Sequence, residues 1–221
     1  MKMKDYIEFL KDKMAISHNT GFEVNPNEIS TSLYPHVRDT VRWAVSGGCR
    51  AIFSSFGMQK TVTQLEICRV IINQYFGKAL IVCPKRVVVE FITQAKEHMN
   101  MTVKYVKTMS EVRACKCDIM ITNYERVRDG EDGVRIEPSF FTVTSLDEAS
   151  VLRGFGTKTY QEFLPLFADV PFRFVATATS RSERQDTSCD GIYKVFDNTL
   201  CIHGANSKKT STTKVKVFLL I

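Results

Sequence analysis

The chain has 221 residues, of which 44% are hydrophobic and 24% charged, and its formal net charge at pH 7 is +6. These values are typical of a soluble globular protein with one large domain, and the positive charge mildly favours an anionic partner such as nucleic acid or nucleotide. No run approaches the roughly 18 apolar residues of a membrane span, and the charged N-terminus lacks the apolar core of a signal peptide. We therefore expect a cytoplasmic protein with no membrane partner.

The seven cysteines are odd in number, and several of them lie inside apolar runs, as buried thiols do. No two cysteines form a C-x-x-C pair, and neither a histidine nor a second pair stands at ligand spacing from Cys115 and Cys117. This spacing argues against a zinc site and favours free cysteines in a reducing cytosol. The seven are Cys49, Cys68, Cys83, Cys115, Cys117, Cys189 and Cys201.

The N-terminal part of the chain predicts two amphipathic helices joined by a linker. Residues 2–16 and 36–46 each place apolar side chains at helical spacing, and glycines end the second helix. Residues 17–32 are rich in turn-forming residues, which indicates a linker that crosses the surface. The apolar faces comprise Tyr6, Ile7, Leu10 and Met14 in the first helix and Val37, Val41 and Ala44 in the second.

Residues 50–66 predict a short apolar strand, a turn of small residues and a helix that begins near Lys60. In such an arrangement, backbone N–H groups and the positive end of the helix face an anion. Lys60 can then reach the outer phosphates of a nucleotide, and the hydroxyl of Thr61 can hold Mg²⁺. The stretch is therefore a candidate phosphate-binding loop.

Both glycine positions of the phosphate-loop motif carry other residues. Ser54 stands at the first position and Gln59 at the second, directly before Lys60, so that only Gly57 remains inside the turn. By itself this pattern is weak, because a Lys-Thr pair after a glycine also occurs by chance in many soluble helices. The rest of the chain must decide between the two interpretations.

Downstream of this loop, apolar strands alternate with helices. Continuous apolar runs such as 79–84 are typical of strands that are covered on both faces, so the prediction is an α/β fold with a doubly wound parallel sheet. The pattern predicts helices over 61–75, 87–99, 108–114 and 157–168, and strands over 79–84, 103–106, 117–124, 140–146 and 172–178.

Polar clusters follow five of the strands directly, at the carboxyl ends where ligands bind in parallel sheets. Asp147 and Glu148 end one of these strands. Beside a phosphate loop, Asp147 would hold Mg²⁺ together with Thr61, and Glu148 would polarise the attacking water. The alternative is a pair of carboxylates that stabilises a helix N-terminus. The other clusters are residues 54–61, 84–85, 122–126 and 177–180.

In this order the segments resemble the first RecA-like domain of superfamily 2 helicases, in particular DEAD/DEAH-like and chromatin-remodeller-type translocases, often encoded by phages. The resemblance covers about residues 33–180, and the helix in LYPHVRDTVRW resembles the one that packs beside adenine. FGMQKT is similar to motif I, LIVCPK to motif Ia, ITNYERV to the segment after it, LDEAS to motif II and ATATS to motif III.

The resemblance implies a RecA-like P-loop NTPase fold of three layers, α/β/α, and an ATPase that uses ATP and Mg²⁺. It also implies contact with the backbone of DNA or RNA, which is salt-dependent and independent of sequence. Lys60, Asp147 and Glu148 would be catalytic, and Thr61 and Asp147 would hold the metal. The nucleotide would be bound by Ser54, Gly57, Gln59, Lys60 and Thr61, the nucleic acid by Lys85, Tyr124 and Arg126, and the two activities coupled by Thr177 and Thr179.

The chain also departs from the family pattern. Val37 stands where the family carries a glutamine that reads adenine, Gln59 replaces the glycine of motif I, and Ser180 replaces the proline of motif III. Residues 181–221 do not resemble the second RecA-like domain, which supplies the arginine that completes the ATP site. Such an arginine is worth about 10³ or more in rate, so we expect weak hydrolysis unless a second lobe or partner protein supplies it.

The sequence therefore divides into an N-terminal helix and linker (1–32), a helicase-type ATP-binding domain (33–180) and an atypical tail (181–221). The tail has two interpretations: the product of a truncated or frame-shifted gene, or a short native tail that adds an edge strand. The function also has two. The first is a Mg²⁺-dependent ATPase lobe of a helicase or translocase, and the second is a non-catalytic module that binds nucleic acid or a helicase through a blunted nucleotide site.

Overall fold

The computed structural model describes residues 19–54, 57–130, 133–148 and 163–178. Six strands form one parallel sheet, and their spatial order is β1-β6-β5-β2-β4-β3 when they are numbered along the chain. This arrangement confirms the predicted doubly wound α/β fold. The strands are β1 (Cys49–Phe53), β2 (Ala79–Cys83), β3 (Val103–Tyr105), β4 (Ile119–Asn123), β5 (Val143–Asp147) and β6 (Phe172–Thr177).

Helices cover both faces of the sheet, and each of the longer ones follows the amphipathic or apolar pattern that predicts it. They are α1 (Pro35–Gly47), α2 (Lys60–Tyr75), α3 (Val88–Met99), α4 (Met109–Ala114) and α5 (Tyr124–Arg128), with short 3₁₀ turns at Pro26–Glu28, Lys85–Val87, Pro138–Phe140 and Leu164–Phe167.

Helix α2 is the central helix of the molecule. Because it lies between the sheet and helices α1 and α3, it is buried on nearly every side, and even polar residues such as Gln64 and Glu66 are buried in it. The residues predicted to be buried there, among them Leu65, Cys68 and Ile71, are indeed buried. In the described ranges no helix has the length and apolar character needed to cross a bilayer.

Three details differ from the sequence prediction. The strand predicted over 140–146 begins only at Val143, because Pro138 starts a 3₁₀ turn that takes up the aromatic residues before it. The strand predicted to reach residue 124 ends at Asn123, and helix α5 follows at once. The helix predicted over 2–16 lies outside the described residues, as do residues 157–162 of the helix predicted over 157–168, whose described remainder contains the 3₁₀ turn Leu164–Phe167.

The predicted surface linker is the third difference. Its described part, residues 19–32, is held against the fold, and Val24 and Ile29 are buried in the same core as helix α2. The segment is also fixed by the N–H of Ser30, which donates to the Glu66 carboxylate at 2.7 Å. Turn-forming residues in this segment therefore accompany core anchors rather than a free linker.

Candidate functional site

The carboxyl ends of β1, β6 and β5 bring the predicted site residues to one edge of the sheet. Phe53 pairs with Thr177, and Ala176 pairs with Asp147, so the ends of these strands are in register. The N–H of Ser54 donates to the main-chain oxygen of Thr177 at 3.3 Å, and the N–H of Glu148 donates to that of Ala176 at 2.8 Å. The candidate phosphate loop therefore begins beside the candidate carboxylates.

Lys60, the first residue of α2, contacts the residue that follows β1. Its Nζ donates to the main-chain oxygen of Ser54 at 3.0 Å, which ties the start of the helix to the end of the strand. Gly57 has a φ of 81°, in the left-handed region that favours glycine. Residues 55 and 56 lie outside the described residues.

Gln59 has the backbone conformation of a glycine. Its φ of 55° and ψ of 39° lie in the left-handed region, which costs a residue with a side chain about 1–2 kcal/mol. Its Oε1 and the Oγ of Ser54 are shielded from solvent, and neither atom has a hydrogen-bond partner in the described part of the chain. Both departures from the glycine pattern therefore leave polar atoms unsatisfied.

Thr61 is buried at the first turn of α2, where its hydroxyl donates to Oε1 of Glu90 on α3 at 3.4 Å. The same carboxylate oxygen accepts a hydrogen bond from Nε2 of Gln94 at 2.9 Å. Glu90 is thus a third carboxylate near the loop, and the sequence patterns did not identify it.

Asp147 is held by a buried network that the sequence did not predict. Its Oδ1 accepts a hydrogen bond from Nε2 of Gln64 at 2.8 Å, and the hydroxyl of Ser145 donates to Oε1 of Gln64 at 2.7 Å. Gln64 and Ser145 are both fully buried. Each lies in a mixed run of polar and apolar residues, and the sequence pattern contains no signal that pairs them.

Burial raises the pKa of the Asp147 carboxyl from its usual value to about 6, because it disfavours the charged form. The negative charges of Glu148 and Glu90 raise this pKa further, whereas the hydrogen bond from Gln64 and the positive charge of Lys60 lower it. These influences show that the loop lysine and the strand-end carboxylate share one electrostatic environment.

Glu148 follows Asp147 with a φ of 53°, so it too has a left-handed backbone. Non-glycine residues in this region are strained, and such strain concentrates at functional sites. Four non-glycine residues of the described chain have a positive φ, and Gln59 and Glu148 are two of them.

The donor atoms fit a magnesium ion. The Thr61 hydroxyl and the Asp147 carboxylate are hard oxygen donors, the type that Mg²⁺ prefers. In the described ranges no group of three or more His, Cys, Asp or Glu side chains could hold a metal ion.

The three predicted nucleic-acid contacts lie in different environments. Lys85 is exposed at the start of the turn after β2, and Arg126 on α5 lies beside Tyr105. Tyr124 is only 5% exposed, and its hydroxyl donates to the main-chain oxygen of Asp147 at 2.6 Å. Tyr124 therefore holds the end of β5 and offers little surface to a nucleic acid.

The remaining predicted residues are less informative. Thr177 is buried at the end of β6, and Thr179 lies outside the described residues. Val37 is fully buried in the core, so the position that the resemblance associates with adenine presents no polar group. Shortly before Val37 in the chain, the rings of Tyr34 and His36 stack with their centroids 5.8 Å apart.

No protein-family model matches the chain, and no curated protein matches it. Among solved structures, the UvsW helicase from bacteriophage T4 aligns with a TM-score of 0.58 and 14% identity, covering 89% of this chain and 65% of that one. The Sulfolobus solfataricus SWI2/SNF2 ATPase core in complex with dsDNA aligns with a TM-score of 0.60 and 15% identity, covering 79% and 37%.

The Pyrococcus furiosus Hef helicase domain also aligns, with a TM-score of 0.55 and 17% identity over 68% of this chain and 33% of that one. These structural alignments establish a shared fold: the chain has the RecA-like α/β architecture found in helicase ATPase domains. The chain spans between about one third and two thirds of the length of these structures.

Proposed function

We propose that this chain is the ATP-binding lobe of a nucleic-acid helicase or translocase, with Mg²⁺-dependent ATPase activity. The observation that carries the proposal is that one helix, α2, contacts both the candidate phosphate loop and the candidate metal-binding carboxylate. Helix α2 begins with Lys60 inside the loop after β1, and one turn later Gln64 contacts Asp147 at the end of β5. A phosphate loop and a metal-binding carboxylate meet in this way in P-loop NTPases.

Each site residue then has a role in phosphoryl transfer to water. Lys60 and the N-terminus of α2 would neutralise the outer phosphates, because the amine and the backbone N–H groups face the same loop. Glu148 would orient the attacking water, while Thr61 and Asp147 would hold Mg²⁺. The ion, when bound, supplies positive charge that stabilises the phosphate oxygens.

The nucleic acid would be DNA or RNA, bound through its phosphates. Lys85 and Arg126 follow two neighbouring strands, β2 and β4, at the same edge of the sheet as the phosphate loop. Side chains of this type give affinity that depends on salt and not on sequence. The dsDNA in the complex of the SWI2/SNF2 core is in keeping with such a partner.

We infer that hydrolysis by this lobe alone is slow. The described site contains carboxylates, a lysine and hydroxyls, and an arginine from a second lobe or partner protein would complete the stabilisation of the transition state. Addition of that lobe should therefore raise the rate, in the range of about 10³-fold that an arginine finger contributes.

The test compares ATP binding and hydrolysis with and without single- and double-stranded DNA. Lys60→Ala should abolish nucleotide binding, because it removes the amine that pairs with the phosphates. Glu148→Gln should keep binding and end hydrolysis. An unchanged ATP affinity in Lys60→Ala would refute the assignment.

A second candidate function is a non-catalytic module that binds nucleic acid or a helicase. The observation that favours it is Gln59, whose side chain occupies a position where phosphate loops carry only backbone. Val37 is a buried valine at the position where the family carries glutamine, so this position also lacks the amide that would read adenine. Absence of ATP binding at sub-millimolar concentration, together with retained DNA binding, would support this function over the first.

A further inference from the structure

Gln64 is a polar residue that is completely buried between helix α2 and the sheet. It is 0% exposed, and a buried side-chain amide costs about 1–3 kcal/mol for each polar group that lacks a partner. Both ends of this amide are paired, with Ser145 at 2.7 Å and Asp147 at 2.8 Å. The amide therefore links helix α2 to two residues of the central strand β5.

Ser145 and Asp147 lie two residues apart on β5, so their side chains share the face of the sheet that helix α2 covers. Val143 on the same face belongs to the core that includes Leu65 and Cys68 of α2. Because this core fixes the distance between helix and strand, the amide can reach both partners without moving either element.

The two partners also fix the orientation of the amide. Oε1 can only accept a hydrogen bond, so it is the hydroxyl of Ser145 that donates, and Nε2 is turned toward Asp147. If the amide were reversed, Oε1 would face a carboxylate oxygen and two acceptors would oppose each other. The pair formed by Ser145 and Gln64 therefore presents an N–H donor to the ionised form of Asp147.

We propose that Gln64, oriented by Ser145, is a positioning residue for the magnesium ligand Asp147: it holds Oδ1 and leaves the other carboxylate oxygen to face the metal. The inference rests on the proposed function, since it names a further residue of the same site. The hydroxyl of Tyr124 holds the main-chain oxygen of Asp147 at 2.6 Å, so Asp147 is fixed through both its backbone and its side chain. Residues that orient a metal ligand in this way affect metal affinity by about 10–100-fold.

The test measures the binding of a fluorescent ATP analogue as a function of Mg²⁺ concentration. Gln64→Leu replaces the amide with an apolar side chain of similar size. In this variant the half-saturating Mg²⁺ concentration should rise by about tenfold. Affinity for the analogue in EDTA should stay as in the wild type, because the loop and Lys60 are untouched. A merely structural defect would also weaken binding of the analogue in EDTA.

Two further variants guard against a folding defect. Ser145→Ala keeps the bond from Gln64 to Asp147 and removes only the group that orients the amide, so a smaller rise of about threefold is expected. Gln74→Leu makes the same change as Gln64→Leu at an exposed position of the same helix, and it should match the wild type. Melting temperatures of all variants establish that they are folded.

The outcomes separate the two levels of the proposal. A wild type that binds the analogue with Mg²⁺ dependence, beside Gln64→Leu and Ser145→Ala variants with unaltered dependence, would overturn the positioning role and leave the proposed function standing. A wild type that binds no analogue, or binds it equally with and without Mg²⁺, would overturn the proposed function and the positioning role with it.

Discussion

Gln59 combines a left-handed backbone with a buried amide oxygen that has no partner in the described part of the chain. Gln59→Gly should raise the free energy of unfolding by about 0.5–1 kcal/mol, because the relief of strain exceeds the added flexibility of glycine. The melting temperature should rise by about 1–4 °C in a chain of this size. Denaturant unfolding and calorimetry measure both.

The matched control is Gln74→Gly, at an exposed position near the end of α2. There the backbone is helical, so glycine should lower stability by about 0.5–1 kcal/mol. Equal effects of the two substitutions would contradict a strained Gln59. A gain in ATP affinity in Gln59→Gly would show that the side chain obstructs phosphate, which favours the non-catalytic function.

Asp147 makes the stability of the protein depend on pH. Because folding raises its pKa from 3.8 to about 6, the folded state binds more protons than the unfolded state between these values. Its contribution to stability is therefore greatest below the lower value and declines as the pH rises through the higher one. Asp147→Asn does not ionise, so its stability relative to wild type should rise by up to about 3 kcal/mol between about pH 4 and pH 7.

Urea unfolding of both proteins across this pH range measures the difference. Asp39→Asn, at an exposed position of α1, is the control and should change stability by less than about 0.5 kcal/mol throughout. A difference between Asp147→Asn and wild type that does not vary with pH would contradict the raised pKa.

At the scale of residues, sequence motifs singled out candidate site residues but not the contacts that hold them in the fold. Lys60 and Asp147 could be paired because each belongs to a recognisable pattern next to a strand end. The hydrogen bond between Gln64 and Asp147 joins residues 83 positions apart in the sequence, and no local feature of the sequence around Gln64 indicates this partner. Such contacts follow from the packing of a helix on a strand, which spacing alone does not specify.

The buried Glu66 carboxylate forms an ion pair with Arg69 within helix α2 and also ties this helix to the segment before α1. The Glu66 side chain is fully buried, accepts hydrogen bonds from Arg69 at 2.7 Å and accepts a third from the N–H of Ser30. Glu66→Ala should lower the free energy of unfolding by about 3 kcal/mol, because it leaves the guanidinium and the Ser30 N–H without their acceptor. Urea unfolding measures this loss.

A second ion pair provides the comparison. Arg135 and Glu137 are 3.3 Å apart on the surface, where water screens the charges. Glu137→Ala should therefore cost less than about 1 kcal/mol. If the two substitutions proved equally mild, residues 19–32 would not be anchored through Glu66, and their place in the fold would rest on apolar side chains such as Phe22, Val24 and Ile29.

At the scale of elements, the long periodic segments were predictable and the short ones were not. The prediction for α2 differs from the structure by one residue, because sixteen residues of consistent pattern leave little freedom. Helix α5 has only five residues and was not predicted, and its first residue, Tyr124, was assigned to the preceding strand. The start of β5 was misplaced because Phe140 and Phe141 favour a strand locally, whereas Pro138 commits them to a turn.

At the scale of the whole molecule, the basic residues that follow β2 and β4 form the proposed nucleic-acid face. Lys85→Ala and Arg126→Ala should each weaken DNA binding to a similar degree for all sequences. Each should also reduce the slope of log affinity against log salt by about 1, because one phosphate contact is lost. Fluorescence anisotropy at several salt concentrations measures both quantities.

Lys96→Ala is the control for this face. Lys96 is exposed in the last turn of α3, at the opposite end of the helix from Lys85. Its removal changes the net charge by the same amount, so an equal loss of affinity would indicate a general charge effect rather than a defined face. Tyr124→Phe should leave the salt dependence unchanged, since its hydroxyl is used inside the fold.

The alternation of strands and helices predicted the parallel sheet, but not the order of its strands. Sequence neighbours need not be spatial neighbours in such a sheet, and β2 lies between β5 and β4 although β3 follows it in the chain. The order matters because it places β6 and β5 next to β1, and so places the carboxylates next to the loop. Composition and periodicity contain no information about this order, in which β6 and β5 lie between β1 and β2.

The position of β1 at the edge has a consequence for synthesis of the protein. In the described residues its only sheet neighbour is β6, and Cys49 meets Pro171, 122 residues further along the chain. At about 5–20 residues per second, a ribosome takes about 6–25 s to make that partner. During this interval β1 has no native neighbour in the sheet, so the phosphate loop reaches its place beside the carboxylates only after most of the described fold has been made.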